Sequence, residues 1–158
     1  MPQSRRPIVS AVAATMFSTT ALCVVSCGGA VSDPEAELRA WVAAAEEAAE
    51  NKNRRALLDK ISSNYADGRG NDRDGLGDMF RVYMLRQQSI AILTKIDSIE
   101  VMGDSAADVA LTVGMAGTSN RAFGLNADAY RFELELEKDD GDWLLIGARW
   151  GEAGEQLR

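Results

Sequence analysis

Between residues 33 and 86 apolar residues recur every three to four positions; from about Gln88 they recur every second position. Leu38, Trp41, Val42, Ala45 and Ala49 make one stripe at helical spacing, with Glu35, Glu37, Glu46, Glu47 and Glu50 off it. Asp33 can cap this helix, and Pro34 suits its first position because the missing N–H would have no partner there. A second, shorter helix is expected after Asn53, burying Ala56, Leu57 and Ile61. The stretch 64–75 is dense in turn formers, and a third helix follows with Leu76, Met79, Phe80, Tyr83 and Met84 at helical spacing.

In the second half Ile90, Ile92 and Ile96 share one parity, while Ile99 and Val101 share the other. Such a phase switch predicts a β-bulge at Asp97-Ser98, which would bend the strand. Val109, Leu111, Val113 and Met115 alternate with polar and small residues, a second strand. Tyr130, Phe132, Leu134 and Leu136 alternate with Arg131, Glu133, Glu135 and Glu137, a third strand with one wet face. Asp139-Asp140-Gly141 is a tight turn into a last strand from Trp143 to Trp150. The predicted fold class is α+β, three N-terminal helices packed on a bent antiparallel sheet of about four strands.

Residues 1–26 follow a different logic. Arg5-Arg6 precedes an apolar stretch from Ile8 to Val25, and the small Ser26 stands before a candidate cleavage point, the layout of a secretory signal peptide. Val24-Val25-Ser26-Cys27 resembles the lipobox of bacterial lipoproteins. The resemblance implies cleavage between Ser26 and Cys27, diacylglycerol on the Cys27 thiol and acylation of the new N-terminus; several acyl chains anchor stably where one binds marginally. An uncut membrane anchor is the alternative, but the stretch is diluted by Ser10, Thr15, Ser18, Thr19 and Thr20 and short against the ~20 apolar residues of a span. Ser4-Arg5-Arg6-Pro7 also resembles a twin-arginine export signal. Gly28 after the cysteine, in place of the aspartate associated with inner-membrane retention, points in a host with two membranes to the outer one, facing the periplasm. The expected organisation is therefore a signal peptide at 1–26, a lipidated tether at 27–33, one domain at 34–152 and a short tail at 153–158.

The 158 residues carry 17 basic and 24 acidic side chains. Losing Arg5 and Arg6 with the signal takes the net charge from −7 to −9. So acidic a chain has no basic stripe with which to displace counterions from phosphates, so nucleic acid is not an expected partner. With Cys23 removed and Cys27 lipidated no disulfide can form. Having no histidine, the chain excludes Ser-His-Asp and Cys-His triads and imidazole-based zinc sites.

A long first helix, a second helix and a Tyr-x-Asp-x-x-Gly loop (Tyr65, Asp67, Gly70) lead into the third helix, and a bent meander ends in Asp140-Gly141-Asp142-Trp143 and Trp150. This order of elements over 34–152 resembles the nuclear transport factor two-like superfamily, also called SnoaL-like, a cystatin-like cone. The resemblance implies a cavity between the concave sheet face and the helices; it does not imply one reaction. Isomerases of that superfamily pair a carboxylate base with a tyrosine-containing oxyanion hole, so Asp67, Tyr65 and Tyr83 become the catalytic candidates, though Asp67 is expected instead to brace its loop by accepting backbone N–H bonds that lower its pKa. Trp41, Tyr83, Tyr130, Arg131, Arg149 and Trp150 are the candidate pocket residues. The acids between Asp67 and Asp78 do not fall in calcium-loop register, and Gly68-Arg69-Gly70 lacks the lysine and context of a phosphate loop, so neither metal nor cofactor is expected. The expected function is a lipid-anchored binding or assembly module of the cell envelope without catalytic activity. Its partners would be the membrane through Cys27, a small apolar ligand or an envelope protein, and a second copy of the chain. The alternative is a small isomerase- or dehydratase-like enzyme with a carboxylate–tyrosine site in the cone.

Overall fold

In the computed structural model, which describes residues 33–119 and 125–158, every helix begins on a side chain that answers an otherwise orphaned backbone donor. Helix α1 spans Pro34–Glu50, and the Asp33 carboxylate accepts from Ala36 N–H at 3.2 Å. Asn53 caps α2 (Arg54–Leu58) through Ala56 N–H at 3.1 Å, and Asp72 caps α3 (Arg73–Arg86) through Gly75 N–H at 2.8 Å. Each cap is worth about 1 kcal/mol. The described residues belong to one compact unit, Ser32–Arg158. The expected signal peptide at 1–26, Cys27 and all but Asp33 of the expected tether lie outside the described residues.

Four strands follow, β1 (Gln87–Met102), β2 (Ala106–Ser119), β3 (Leu125–Asp139) and β4 (Asp142–Glu152), paired antiparallel in sequence order. Ile96 faces Leu111 and Ser98 faces Ala110, so Asp97 is the extra residue of a bulge. Its carboxylate accepts from Lys95 Nζ at 2.6 Å and Thr112 Oγ1 at 2.7 Å, fixing the kink on the outer face. After it Ile99 rejoins the inward set of Ile90, Ile92 and Ile96. A second bulge sits in β4, where Gly147 faces Glu135 and Leu145 faces Leu136, leaving Ile146 over. Asp140 and Gly141 both take positive φ (48° and 94°) in the two-residue turn between β3 and β4, the geometry that favours glycine.

Two expectations need correction. The second helix is barely more than one turn, and Ala56 and Leu57 are only half-buried. Ile61 lies beyond it in a parallel bridge to Leu145. There the backbone of Lys60, Ser62 and Ala66 bonds the free edge of β4, which uses donors and acceptors that a helix would have consumed. Arg73 holds this segment against α3 by donating to the carbonyls of Leu58 and Ile61 at 2.9 and 3.0 Å. The buried core is Leu38 and Val42 of α1, Tyr65, Leu76 and the inward residues of the sheet, among them Val109, Leu111, Leu136, Trp143 and Leu145. Glu37 ties α1 to the sheet, accepting from Lys138 Nζ at 2.6 Å and Trp143 Nε1 at 2.9 Å.

Candidate functional site

Alternation puts one residue in two from each strand under the helices, and the curved sheet leaves space there. A cavity of about 230 Å³ lies between α1 and the sheet, walled by Trp41, Val42, Ile61, Phe80, Val113 and Phe132. A second lobe of about 350 Å³ lies under α3, walled by Tyr65, Met79, Tyr83, Tyr130, Ala148 and Trp150. Phe80, Met115, Phe132, Leu134 and Leu145 line both. Aromatic rings form much of the second lobe: Tyr130 and Phe132 lie tilted at 6.4 Å, and Phe132 and Trp150 stack at 6.5 Å. Trp41 lines the smaller lobe, and Tyr83, Tyr130 and Trp150 line the larger. Trp143 does not line either lobe; it is a core residue.

The smaller lobe has one cation at its wall, Lys60, whose ammonium lies 5.6 Å from the centre of the Trp41 ring. Burial holds the Lys60 pKa below the usual lysine range against the opposing pull of Asp142. Glu46 also reaches this wall.

At the larger lobe the polar groups gather around two phenols. The Tyr83 hydroxyl meets Met115 Sδ at 4.0 Å. Met115 pairs with Asp128 across β2 and β3, and Tyr130 pairs with Glu152 across β3 and β4. Directly paired residues share a sheet face, so both carboxylates stand on the concave side with Met115 and Tyr130. Burial and then Asp128 push the Tyr83 phenol up; burial, Asp128 and Glu152 push Tyr130 up, with Arg69 opposing. Asp128 escaped the sequence reading because Asn126-Ala127-Asp128-Ala129 does not read as a strand. Extending the alternation Tyr130, Phe132, Leu134 one step backwards would have found it.

Asp67 has a different role. Its Oδ1 accepts from the backbone N–H groups of Arg69 and Asn71, both at 2.8 Å. Its Oδ2 accepts from Asn71 Nδ2 at 2.8 Å and from the Tyr65 hydroxyl at 3.4 Å. Partial burial raises the Asp67 pKa, but the bonds from Asn71, Arg69 and Tyr65 outweigh it and hold the carboxyl below its ordinary value. The Tyr65 ring reaches the larger lobe, while Asp67, like Asp128 and Glu152, is not among the residues lining either lobe. Burial, then Asp67, shifts the Tyr65 phenol strongly upward, so it stays protonated.

Arg131 and Arg149 do not line the cavity. Arg149 pairs with Glu133 at 2.8 Å, both more than two-fifths exposed, and Arg131 is exposed between inward-facing Tyr130 and Phe132. Strand alternation places both on the outer face, beside the glutamate row.

No protein-family model and no curated protein matches the sequence. Solved structures do. A scytalone dehydratase-like protein from Novosphingobium aromaticivorans superposes with a TM-score of 0.70 at 10% identity, covering 79% of this chain and 89% of that one. A ketosteroid isomerase-like protein from Erwinia carotovora atroseptica gives 0.63 at 13% identity, over 76% and 96% of the two chains. A nuclear transport factor 2-like superfamily protein from Salmonella enterica gives 0.64 at 12% identity, over 77% and 92%. At such identities the likeness shows the fold, helices on an open four-stranded antiparallel sheet of the nuclear transport factor two-like type.

Proposed function

We propose that this chain is a lipid-anchored module that binds a small apolar molecule between its helices and the concave sheet face without turning it over. The observation that carries the binding reading is the two-lobed cavity, whose walls are mostly aliphatic and aromatic side chains. The non-catalytic part rests on Asp67, whose oxygens are occupied by four donors and whose pKa is lowered, a poor base at neutral pH. The anchor rests on Val24-Val25-Ser26-Cys27. In an organism with two membranes the domain would then sit in the periplasm at the outer membrane, joined to its lipid by the short tether 27–33.

Calorimetric titration of the full chain with 3-phenylpropanol tests the cavity. Saturable binding is expected, and Met115→Trp, which fills space shared by both lobes, should abolish it while Leu93→Trp on the opposite face does not. Binding unaffected by Met115→Trp in a folded variant would sink the cavity reading. For the anchor, Cys27→Ser should end incorporation of labelled palmitate; label retained on the serine variant would contradict it.

One observation favours a second reading, an isomerase- or dehydratase-like enzyme. Asp128 acts on the phenols of both Tyr83 and Tyr130, the residue types that a carboxylate–tyrosine mechanism needs. Scytalone dehydratase-like and ketosteroid isomerase-like proteins share the fold. Turnover of a hydroxyketone lost on Asp128→Asn would favour this reading over the first.

A further inference from the structure

The larger lobe has an asymmetric mouth. Tyr83, Tyr130 and Trp150 present ring surface, and the residues paired across the strands bring two carboxylates, Asp128 and Glu152, to the same concave face. No ion pair holds either carboxylate among the described residues. The one cation acting on Tyr130 is Arg69, and it is already engaged. Its guanidinium lies 4.6 Å from the centre of the Trp150 ring, and its Nη2 donates to the Trp150 carbonyl at 2.9 Å. The mouth therefore offers aromatic faces and unpaired negative charge, with its cation committed to the wall.

From this geometry we propose that the larger lobe selects an apolar organic cation, its hydrophobic body in the lobe and its ammonium group at the rim formed by Tyr83, Tyr130, Asp128 and Glu152. Electron-rich ring faces attract a cation within about 6 Å, and a nearby carboxylate adds a charge-assisted hydrogen bond. A carboxylate head would meet Asp128 and Glu152 with no free cation at the rim among the described residues to answer it, and a neutral alcohol would gain only an ordinary hydrogen bond. The inference rests on the cavity-binding reading and names the ligand class for it.

Three probes with one body separate the two claims: 3-phenylpropylamine, 3-phenylpropanol and 3-phenylpropanoate, each titrated into the full chain at neutral pH and physiological ionic strength. The amine should bind at least tenfold more tightly than the alcohol, and the acid most weakly. Asp128→Asn combined with Glu152→Gln should bring the amine to the affinity of the alcohol. Glu135→Gln combined with Glu137→Gln removes the same charge from the exposed outer row, and it should leave the amine preference intact. Equal binding of the three probes, or tightest binding of the acid, overturns the ligand class and leaves the cavity standing. An amine preference lost equally with the outer-face pair overturns the site, because general attraction to an acidic protein would then explain it. Failure of all three to bind overturns the cavity reading itself.

Discussion

Asp67 and Asp128 stand beside tyrosines that line the same lobe, yet they are held in opposite ways. Asp67 receives two backbone N–H groups, the Asn71 amide and the Tyr65 hydroxyl, and it closes a loop that ends at the cap of α3. Asp128 receives no such bonds among the described residues, and its charge helps to push two phenols, Tyr83 and Tyr130, up. Residue type near a cavity is thus a poor guide to role. The donors already spent on a carboxylate decide whether it braces the fold or is available to a ligand.

Paired substitutions can break this comparison, beginning with the tyrosines. Tyr65 is 3% exposed and Tyr83 36%. Tyr65→Ala should cost about 3 kcal/mol of unfolding free energy, in the range for deleting a buried aromatic side chain, whereas Tyr83→Ala should cost under about 1 kcal/mol. Equal costs in urea titrations would mean that the rim is as structural as the loop.

The aspartates come next. Asp67→Asn should lose about 1 kcal/mol, the scale of a charged cap, and lower the melting temperature by about 4 °C. Asp128→Asn should leave the melting curve in place. An Asp67→Asn variant as stable as the wild type would refute the bracing role.

Dependence on pH sharpens the same contrast. Because the folded state holds the Asp67 pKa down, its contribution is complete above the unfolded value near 3.9 and is lost as pH falls through the lower folded value. The difference between wild type and Asp67→Asn should therefore shrink on acidification below about pH 4. Tyr65 works in the other direction. Burial and Asp67 raise its pKa, so its contribution is complete below the unfolded value near 10 and is lost as pH rises beyond it, an alkaline loss that Tyr65→Phe should lack. The smallest expected effect is that of Arg69→Ala. It should change stability by no more than about 1 kcal/mol, the scale of an exposed cation–π contact, while making Trp150 more accessible to a soluble fluorescence quencher.

The sequence revealed most where apolar spacing had only one solution. The bulge at Asp97 could be read because the isoleucines on either side change parity, and the starts of α1 and α2 because Asp33 and Asn53 each stand before a helical run; α3 begins at Arg73, capped by Asp72, inside the stretch whose turn formers hide its start. The bulge at Ile146 could not, since Trp143-Leu144-Leu145-Ile146 is apolar at both parities and no phase is marked. The short second helix was overextended because Ile61 fits a helical stripe as well as it fits an edge bridge to Leu145. At the site, alternation puts Tyr130 and Phe132 on one face of β3. The same alternation, applied to Arg131, would have excluded it from the pocket. The bracing role of Asp67 is legible in its turn-forming loop, whose backbone N–H groups it accepts from, whereas the place of Asp128 depends on strand register near the start of β3, where no apolar alternation marks it.

Intermolecular nuclear Overhauser effects between 3-phenylpropanol and the full chain test the central claim most directly, that the space under the helices is the binding site. The account predicts effects from the phenyl ring to Phe80, Met115 and Phe132, which the two lobes share, and none to Leu93 on the opposite face of the sheet. Effects confined to Leu93 and its neighbours, with the shared cavity residues silent, would contradict it.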